Sequence, residues 1–270
     1  MVKSCFLDND SIGKLIDKYY GAPYHHRSLS KNPYVGDGHV EPDVADFKSK
    51  MFSLNKLDYD FSGKSCAIIG GSPNLLNNKY GKFIDSFDFV VRLNEATVDG
   101  LEQYCGEKTD FRIISKKTFT SLRDANYAKL FPNSDWKMFT RFPKQHYLIR
   151  PWSPGSNEVG NYKSILDSLQ QYYYKDDYNI SFVNHNIEKE ATKLVNGKLQ
   201  STGFLAIYLF CMLFEKIDIF GFDFHNEGKG VAKYYFSDKY TAAVSNIHNF
   251  SLEKKICKDL EKKGRLKIHE

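Results

Sequence analysis

Long apolar runs are missing from this chain. No stretch approaches the roughly 18 consecutive apolar residues that span a bilayer, so no transmembrane helix is expected. Residues Met1 to Asp10 hold no apolar signal core; a cytoplasmic location is expected unless an anchor has been removed. Cysteine is scarce. Cys5, Cys66, Cys105, Cys211 and Cys257 are widely spaced and form no Cys-x-x-Cys, which argues against a zinc site and a disulfide framework. Charge of one sign is also lacking. Thirty-eight Lys and Arg against 33 Asp and Glu leave a net +5, too mild and scattered for nucleic acid. The densest basic stretch, Lys254, Lys255, Lys258, Lys262 and Lys263, is interrupted by Asp259 and Glu261 and reads as the solvated face of a helix. Neither a Gly-x-Gly-x-x-Gly fingerprint nor a Walker loop occurs, which sets aside nicotinamide dehydrogenases and P-loop enzymes. No internal repeat is seen.

What the chain has is an alternation of short apolar runs with helical patterns. Aromatic residues make up 15%, with 18 tyrosines and 21 phenylalanines, mostly read as packing. With 270 residues the chain fills one large domain or two small ones. Residues 1–60, broken by Pro33, Gly36, Gly38 and Pro42, read as a polar leader packed on the domain, with a short helix near Ile12–Tyr20. Residues 61–270 read as a single α/β domain. Strands are expected at Ala67–Ile69, Phe89–Val91, Phe111–Ile114 and Ile217–Phe220, with a last one at Arg265–Ile268. Helices are expected at Tyr162–Tyr174, Gly203–Phe214 and Asn246–Lys263, the last stopped by Gly264. This alternation implies a three-layer, mainly parallel α/β sheet. Residues 120–200, rich in aromatics and weakly patterned, are expected to form an irregular cap over the carboxyl edge of the sheet.

Open α/β sheets bind ligands where strands end. Gly70-Gly71-Ser72-Pro73-Asn74 follows the first strand; its glycines permit close backbone approach and Asn74 offers donor and acceptor atoms. Asn94 follows the second strand, at the same edge. Ser201-Thr202-Gly203 opens the apolar helix, where backbone N–H groups, two hydroxyls and the dipole can receive an anion. His248 lies near the start of the last helix, whose dipole disfavours imidazolium and so leaves a neutral ring fit for a general base. Glu253 anchors this turn or orients the histidine. Tyr234-Tyr235-Phe236 follows Gly228-Lys229-Gly230, and its hydroxyls are candidates to reach a leaving phosphate. Each segment alone also has a plain reading as turn, helix cap, aromatic staple or structural histidine. Asp58-Tyr59-Asp60 precedes the first clear strand and reads as surface; no metal is expected. Glycosylation sequons stand at Asn9, Asn179 and Asn249, the last beside His248.

In this order the segments resemble the eukaryotic-type sialyltransferases, defined by motifs called large, small, III and very small. The large motif resembles Cys66 to Asn74, Asp85 to Asn94 and Gly106 to Thr109; the small motif, Ser201 to Phe222. Motif III is similar to Tyr234-Tyr235-Phe236, and the very small motif, His-x4-Glu, to His248 and Glu253. The resemblance implies a Rossmann-like (GT-A variant) catalytic domain with an acceptor-side cap. It implies inverting, metal-independent transfer of sialic acid from CMP-sialic acid to a glycan hydroxyl, with no cofactor beyond the donor. By position, Gly71, Ser72, Asn74 and Asn94 would contact the nucleotide and phosphate. Ser201, Thr202 and Gly203 would hold the cytidine side, with Gly221 and Phe222 near the base. Tyr234 and Tyr235 would serve the phosphate, and His248 would be the base. The family pairs its large-motif cysteine with one in the small motif; here Phe214 stands at the partner position and Cys211 lies one helical turn before it. Asp223 follows the small motif, and Tyr234 replaces a frequent histidine. A CMP-Kdo-dependent transferase shares the motifs; a non-catalytic nucleotide or glycan binding module is the alternative from another class. Acceptor choice is assigned to residues 116–200, with Trp136, Arg141, Tyr147 and Trp152 as candidates by chemical type.

Overall fold

A computed structural model describes residues 5–20, 45, 59–121, 145–151, 162, 165–166, 179–224, 232–235, 237–241 and 247–270. Its centre is a seven-stranded sheet. The strands are β1 (Cys66–Ile69), β2 (Phe89–Leu93), β3 (Phe111–Ser115), β4 (His146–Arg150), β5 (Asn179–Phe182), β6 (Ile217–Phe220) and, after a small hairpin of β7 (Ala232–Tyr234) and β8 (Ser237–Thr241), β9 (Leu266–His269). Their order is β5-β4-β3-β2-β1-β6-β9, and every pairing in it is parallel. From β1 the chain builds outward to β5, then returns to lay β6 on the opposite side of β1. The order of strands therefore reverses between β1 and β6, which is where such sheets open a crevice.

Side chains alternate across the sheet. Cys66 and Ile68 of β1 join one core with Val91, Ile113, Ile219 and Leu266; Ala67 and Ile69 face the other core with Val90 and Phe220. Over the first face lie α5 (His185–Leu194), α6 (Thr202–Leu213) and α7 (Phe250–Lys262), represented by Ala191, Leu205 and Cys257; they are numbered after four shorter or earlier helices, α1 (Asn9–Tyr20), α2 (Gly81–Asp85), α3 (Glu102–Cys105) and α4 (Lys116–Ser121). Helix α6 is apolar nearly all round because it is buried nearly all round: Leu205, Ala206, Ile207, Leu209 and Phe210 have no exposed surface. Ile84 of α2 and Cys105 of α3 cover the second face. The result is a three-layer α/β fold.

Residues 120–200 are not simply a cap. His146–Arg150 and Asn179–Phe182 are sheet strands, and His185–Leu194 is a helix. His146 and Arg150 at the ends of β4, and Asn179 and Ser181 within β5, break up the apolar pattern of both strands. Tyr147, a candidate for acceptor contact, is fully buried in β4. Trp136, Arg141, Trp152, Asp58 and most of the expected Tyr162–Tyr174 helix lie outside the described residues. Near the start of the chain Phe6 bridges Val183 beside β5. All five cysteines, Cys66 and Cys211 included, are free thiols. No helix among the described residues is long and apolar enough to cross a membrane.

Candidate active site

The cleft lies at the carboxyl ends of β1, β2 and β6. It encloses about 860 Å³, including solvent at its mouth. Gly70, Gly71 and Ser72 leave β1, Asn94 leaves β2, and Gly221, Phe222 and Asp223 leave β6; Ser201, Thr202 and Gly203 open α6, and His248 and Glu253 come from the α7 end. Of the residues singled out from sequence, Gly71, Ser72, Asn94, Ser201, Thr202, Gly203, Gly221, Phe222 and His248 meet here.

The floor is held by close backbone packing. The Gly70 N–H donates to Phe220 O at 2.7 Å, and the Ser72 N–H donates to Gly221 O at 3.0 Å. A Cβ on Gly70 would collide with the Gly221 carbonyl, so only glycine lets the ends of β1 and β6 approach this closely. Gly221 itself sits at φ 69°, in the left-handed region.

Asn94 adopts φ 46°, a conformation asparagine tolerates better than most residues. Arg112, buried in β3, donates to the carbonyls of Asn94 and Ala96, both at 2.9 Å. The Ser115 N–H donates to Asn94 Oδ1 at 3.0 Å. Only the amide oxygen can accept there, so the other end of the side chain, the NH2 group, is the end left to serve the cleft. Asn74 does not line the cleft. Its Nδ2 donates to Phe222 O at 3.3 Å, stapling the β1 turn to the β6 turn, while its buried Oδ1 has no partner among the described residues.

Ser201 caps α6: its Oγ accepts from the Phe204 N–H at 3.0 Å. The Ser201 N–H donates to Glu253 Oε1 at 2.8 Å, and its Oγ–H donates to Glu253 Oε2 at 2.7 Å. Glu253 therefore grips the α6 cap instead of orienting the histidine. It is 2% exposed. Burial pushes its carboxyl up to about 7, against the opposing pull of the Ser201 hydrogen bonds and the Arg150 charge.

His248 is oriented by the backbone. Its Nδ1 lies 2.7 Å from Leu199 O. A carbonyl only accepts, so Nδ1 carries a proton and, in the neutral ring, Nε2 holds the lone pair. That tautomer is the one a general base needs. Asn249 caps α7 through its side chain, which accepts from the Leu252 N–H at 3.3 Å.

Tyr235 of the third segment is placed differently from expectation. Tyr235 does not line the cleft. Its hydroxyl is buried and donates to Thr97 O at 2.6 Å, and its N–H donates to Gly71 O at 2.8 Å. It pins the β7–β8 hairpin to the site's rim instead of offering its hydroxyl to a phosphate. Tyr234 ends β7, and its side chain lies outside the described part.

Sequence reasoning missed the acidic and aromatic remainder of the lining. Glu95, Phe204, Phe224 and Phe250 contribute to it, and among the described residues no lysine or arginine does. It also missed Arg150 and Glu188, a buried ion pair at 3.0 Å behind Thr202. The signal was present as an arginine closing an apolar tripeptide, but the strand itself went unread. Among the described residues no group of three or more His, Cys, Asp or Glu is placed to hold a metal ion.

Comparison with known proteins identifies the family. The chain is 24% identical over 214 residues to CMP-N-acetylneuraminate-beta-galactosamide-alpha-2,3-sialyltransferase 1 of Homo sapiens, covering 76% of this chain and 58% of that protein. It is 42% identical over 57 residues to Sialyltransferase-like protein 2 of Arabidopsis thaliana, 21% of this chain and 13% of that one. The chain thus spans less than two thirds of the length of these curated relatives. In fold it is similar to a mammalian sialyltransferase crystal structure, with a TM-score of 0.60 at 16% identity, covering 98% of this chain and 89% of that one. The family model for glycosyltransferase family 29 (sialyltransferase) matches residues 39–265, and the chain belongs to that family.

Proposed function

We propose that the cleft binds CMP-sialic acid and transfers the sialic acid, with inversion and without a metal, to a glycan hydroxyl. One observation carries this reading: His248, with Nδ1 committed to Leu199 O, lines the same cleft as the Asn94 amide and the opening turn of α6. The donor supplies an anomeric carbon whose bond to phosphate breaks with oxocarbenium character, as in glycoside hydrolysis. The acceptor oxygen attacks that carbon from the opposite face, and its proton passes to Nε2 of His248. The departing phosphate takes hydrogen bonds from neutral donors, the Asn94 amide and the N-terminus of α6, where the first backbone N–H groups have no intrahelical acceptor. Phe222 borders the cleft beside Gly203 and offers an apolar wall to the pyrimidine.

The human relative's name specifies a beta-galactosamide acceptor, and a second solved structure of similar fold was determined with Gal-beta-1-3GalNAc-ortho-nitrophenol. Galactosides are accordingly the first acceptors to try. Purified protein should release cytidine monophosphate from CMP-sialic acid when a galactoside is added, and a chelator should not slow it. Turnover with CMP-Kdo and not CMP-sialic acid would replace the donor in this reading. Nucleotide binding with no transfer from either donor across a glycan panel would replace the enzyme with a binding module.

A further inference from the structure

We infer that Arg150, which lies outside the cleft, sets the Thr202 hydroxyl as a hydrogen-bond donor to an anionic oxygen of the activated sugar nucleotide, an inference that rests on the function proposed above. Arg150 closes β4 at the same sheet edge as Asn94 and is 3% exposed. Its Nε donates to Glu188 Oε1 at 3.0 Å, and its Nη1 donates to Gln200 O at 3.2 Å and to Thr202 Oγ1 at 3.3 Å. A guanidinium has no acceptor atom, so the direction of the last bond is fixed: Thr202 accepts. The Thr202 hydroxyl proton must then point elsewhere. Thr202 lines the cleft, and no other side-chain partner takes its hydroxyl among the described residues.

The neighbouring hydroxyl has the opposite fate. Ser201 Oγ donates to Glu253 and accepts from the Phe204 N–H, so its proton is committed inside the protein. Of two adjacent hydroxyls at the start of α6, one serves as the cap and the other is turned outward as a donor. A basic and an acidic side chain, Arg150 and Glu253, make that division.

Charge points the same way. A cation beside a helix N-terminus works against the helix dipole, and burying an Arg–Glu pair carries a desolvation cost that an apolar pair avoids. Packing alone would not select this arrangement. An anion arriving at the N-terminus of α6 would. Among the described residues the cleft lining carries Glu95, Asp223 and Glu253 and no lysine or arginine, so the donors for an anion on this side are the helix start and the Thr202 hydroxyl that Arg150 orients. Arg150 Nη2 and Gln200 Nε2, both buried, have no acceptor among the described residues, which makes this side of the site rich in donors. Arg150 is thus a positioning residue; it acts through Thr202.

The test is calorimetric titration of cytidine, cytidine monophosphate and CMP-sialic acid into the wild-type protein, Thr202→Val, the pair Arg150→Met with Glu188→Gln, and all three changes together. The paired change avoids leaving Glu188 as an uncompensated buried charge, and the near-isosteric Thr202→Val stands by itself if the paired variant does not fold. Thr202→Val and the paired change should each weaken the anionic ligands about tenfold, the worth of one hydrogen bond to a charged group, and leave cytidine unaffected. The triple variant should lose about tenfold and not about a hundredfold, because both changes remove one bond. A loss confined to CMP-sialic acid assigns the bond to the sugar carboxylate; a loss shared with cytidine monophosphate assigns it to the phosphate. Unchanged affinity in Thr202→Val, an equal loss for cytidine, or losses that multiply in the triple variant would each overturn the inference. Wild-type protein that binds none of the three ligands would instead overturn the proposed function.

Discussion

Glu253 and Ser201, 52 residues apart in the chain, are joined by two hydrogen bonds, from the Ser201 N–H to Oε1 and from its Oγ–H to Oε2. This contact ties the start of α7 to the start of α6 and fixes the side of the cleft on which His248 stands. Because the carboxyl is buried, it also makes the fold sensitive to pH.

The sign of that sensitivity follows from the raised carboxyl. Glu253 ionises near 7 in the folded chain and near the ordinary value of 4.5 when unfolded. Its contribution to stability is therefore full below about pH 4.5, falls as pH rises, and is lost above about 7. Arg150 and Cys257 are the titratable groups coupled to it. Glutamine does not titrate. In chemical denaturation, the stability of Glu253→Gln relative to wild type should improve by roughly 2–3 kcal/mol between pH 5 and pH 8. A gap that stays constant over that range would show that the carboxyl ionises normally.

His248→Ala should lower turnover about 10²- to 10⁴-fold, the usual worth of general-base assistance. Affinity for cytidine monophosphate, measured by calorimetry, should change little, since the phosphate and nucleoside are assigned to other residues. Turnover at the wild-type rate would remove the imidazole from the mechanism.

Two glycines should respond in different ways to alanine. At Gly70 the new methyl meets backbone, the Gly221 carbonyl, so Gly70→Ala should unfold at a markedly lower temperature. At Gly203 the methyl would lie 2.8 Å from Cε1 of the Phe222 ring, a side chain that can swing. Gly203→Ala should keep nearly the wild-type melting temperature and bind cytidine monophosphate more weakly, because the displaced ring enters the nucleotide's space. Equal thermal losses in the two variants would contradict this distinction.

Tyr235→Phe removes the buried donor to Thr97 O. Leaving that carbonyl short of a partner costs about 1–3 kcal/mol, so the melting temperature should drop by several degrees. If Tyr235 instead served the donor phosphate, nucleotide affinity would fall with stability unchanged.

The parts of the site legible in the sequence were those built from turns. Gly70-Gly71-Ser72, Asn94, Ser201-Thr202-Gly203 and His248 each follow a strand or open a helix, and local residue chemistry announces such junctions. Two neighbouring strands were legible for the same reason: Ala67–Ile69 and Ile217–Phe220, apolar except for Asp218, are short runs closed by glycine. What stayed hidden depends on contacts between distant segments. Nothing near Glu253 in sequence reveals that its carboxylate reaches Ser201, and nothing near Tyr235 reveals Thr97. β4 and β5 escaped because Asn179 opens β5 with a polar residue and because His146, Arg150 and Ser181 carry polar groups that the fold satisfies internally: His146 Nε2 lies 2.8 Å from Ser181 Oγ, and Arg150 pairs with Glu188.

The pairing of Cys66 with Ile217, where β6 joins β1, has a consequence for synthesis. Strands β1 to β5 emerge from the ribosome in the order in which they sit side by side, and each finds its neighbour soon after it appears. β1 keeps one flank bare until β6 arrives, roughly 150 residues later, and closing so wide a loop is the slow kind of step. A nascent chain halted before Ile217 would present that flank to other copies of itself, the situation in which unfinished sheets aggregate.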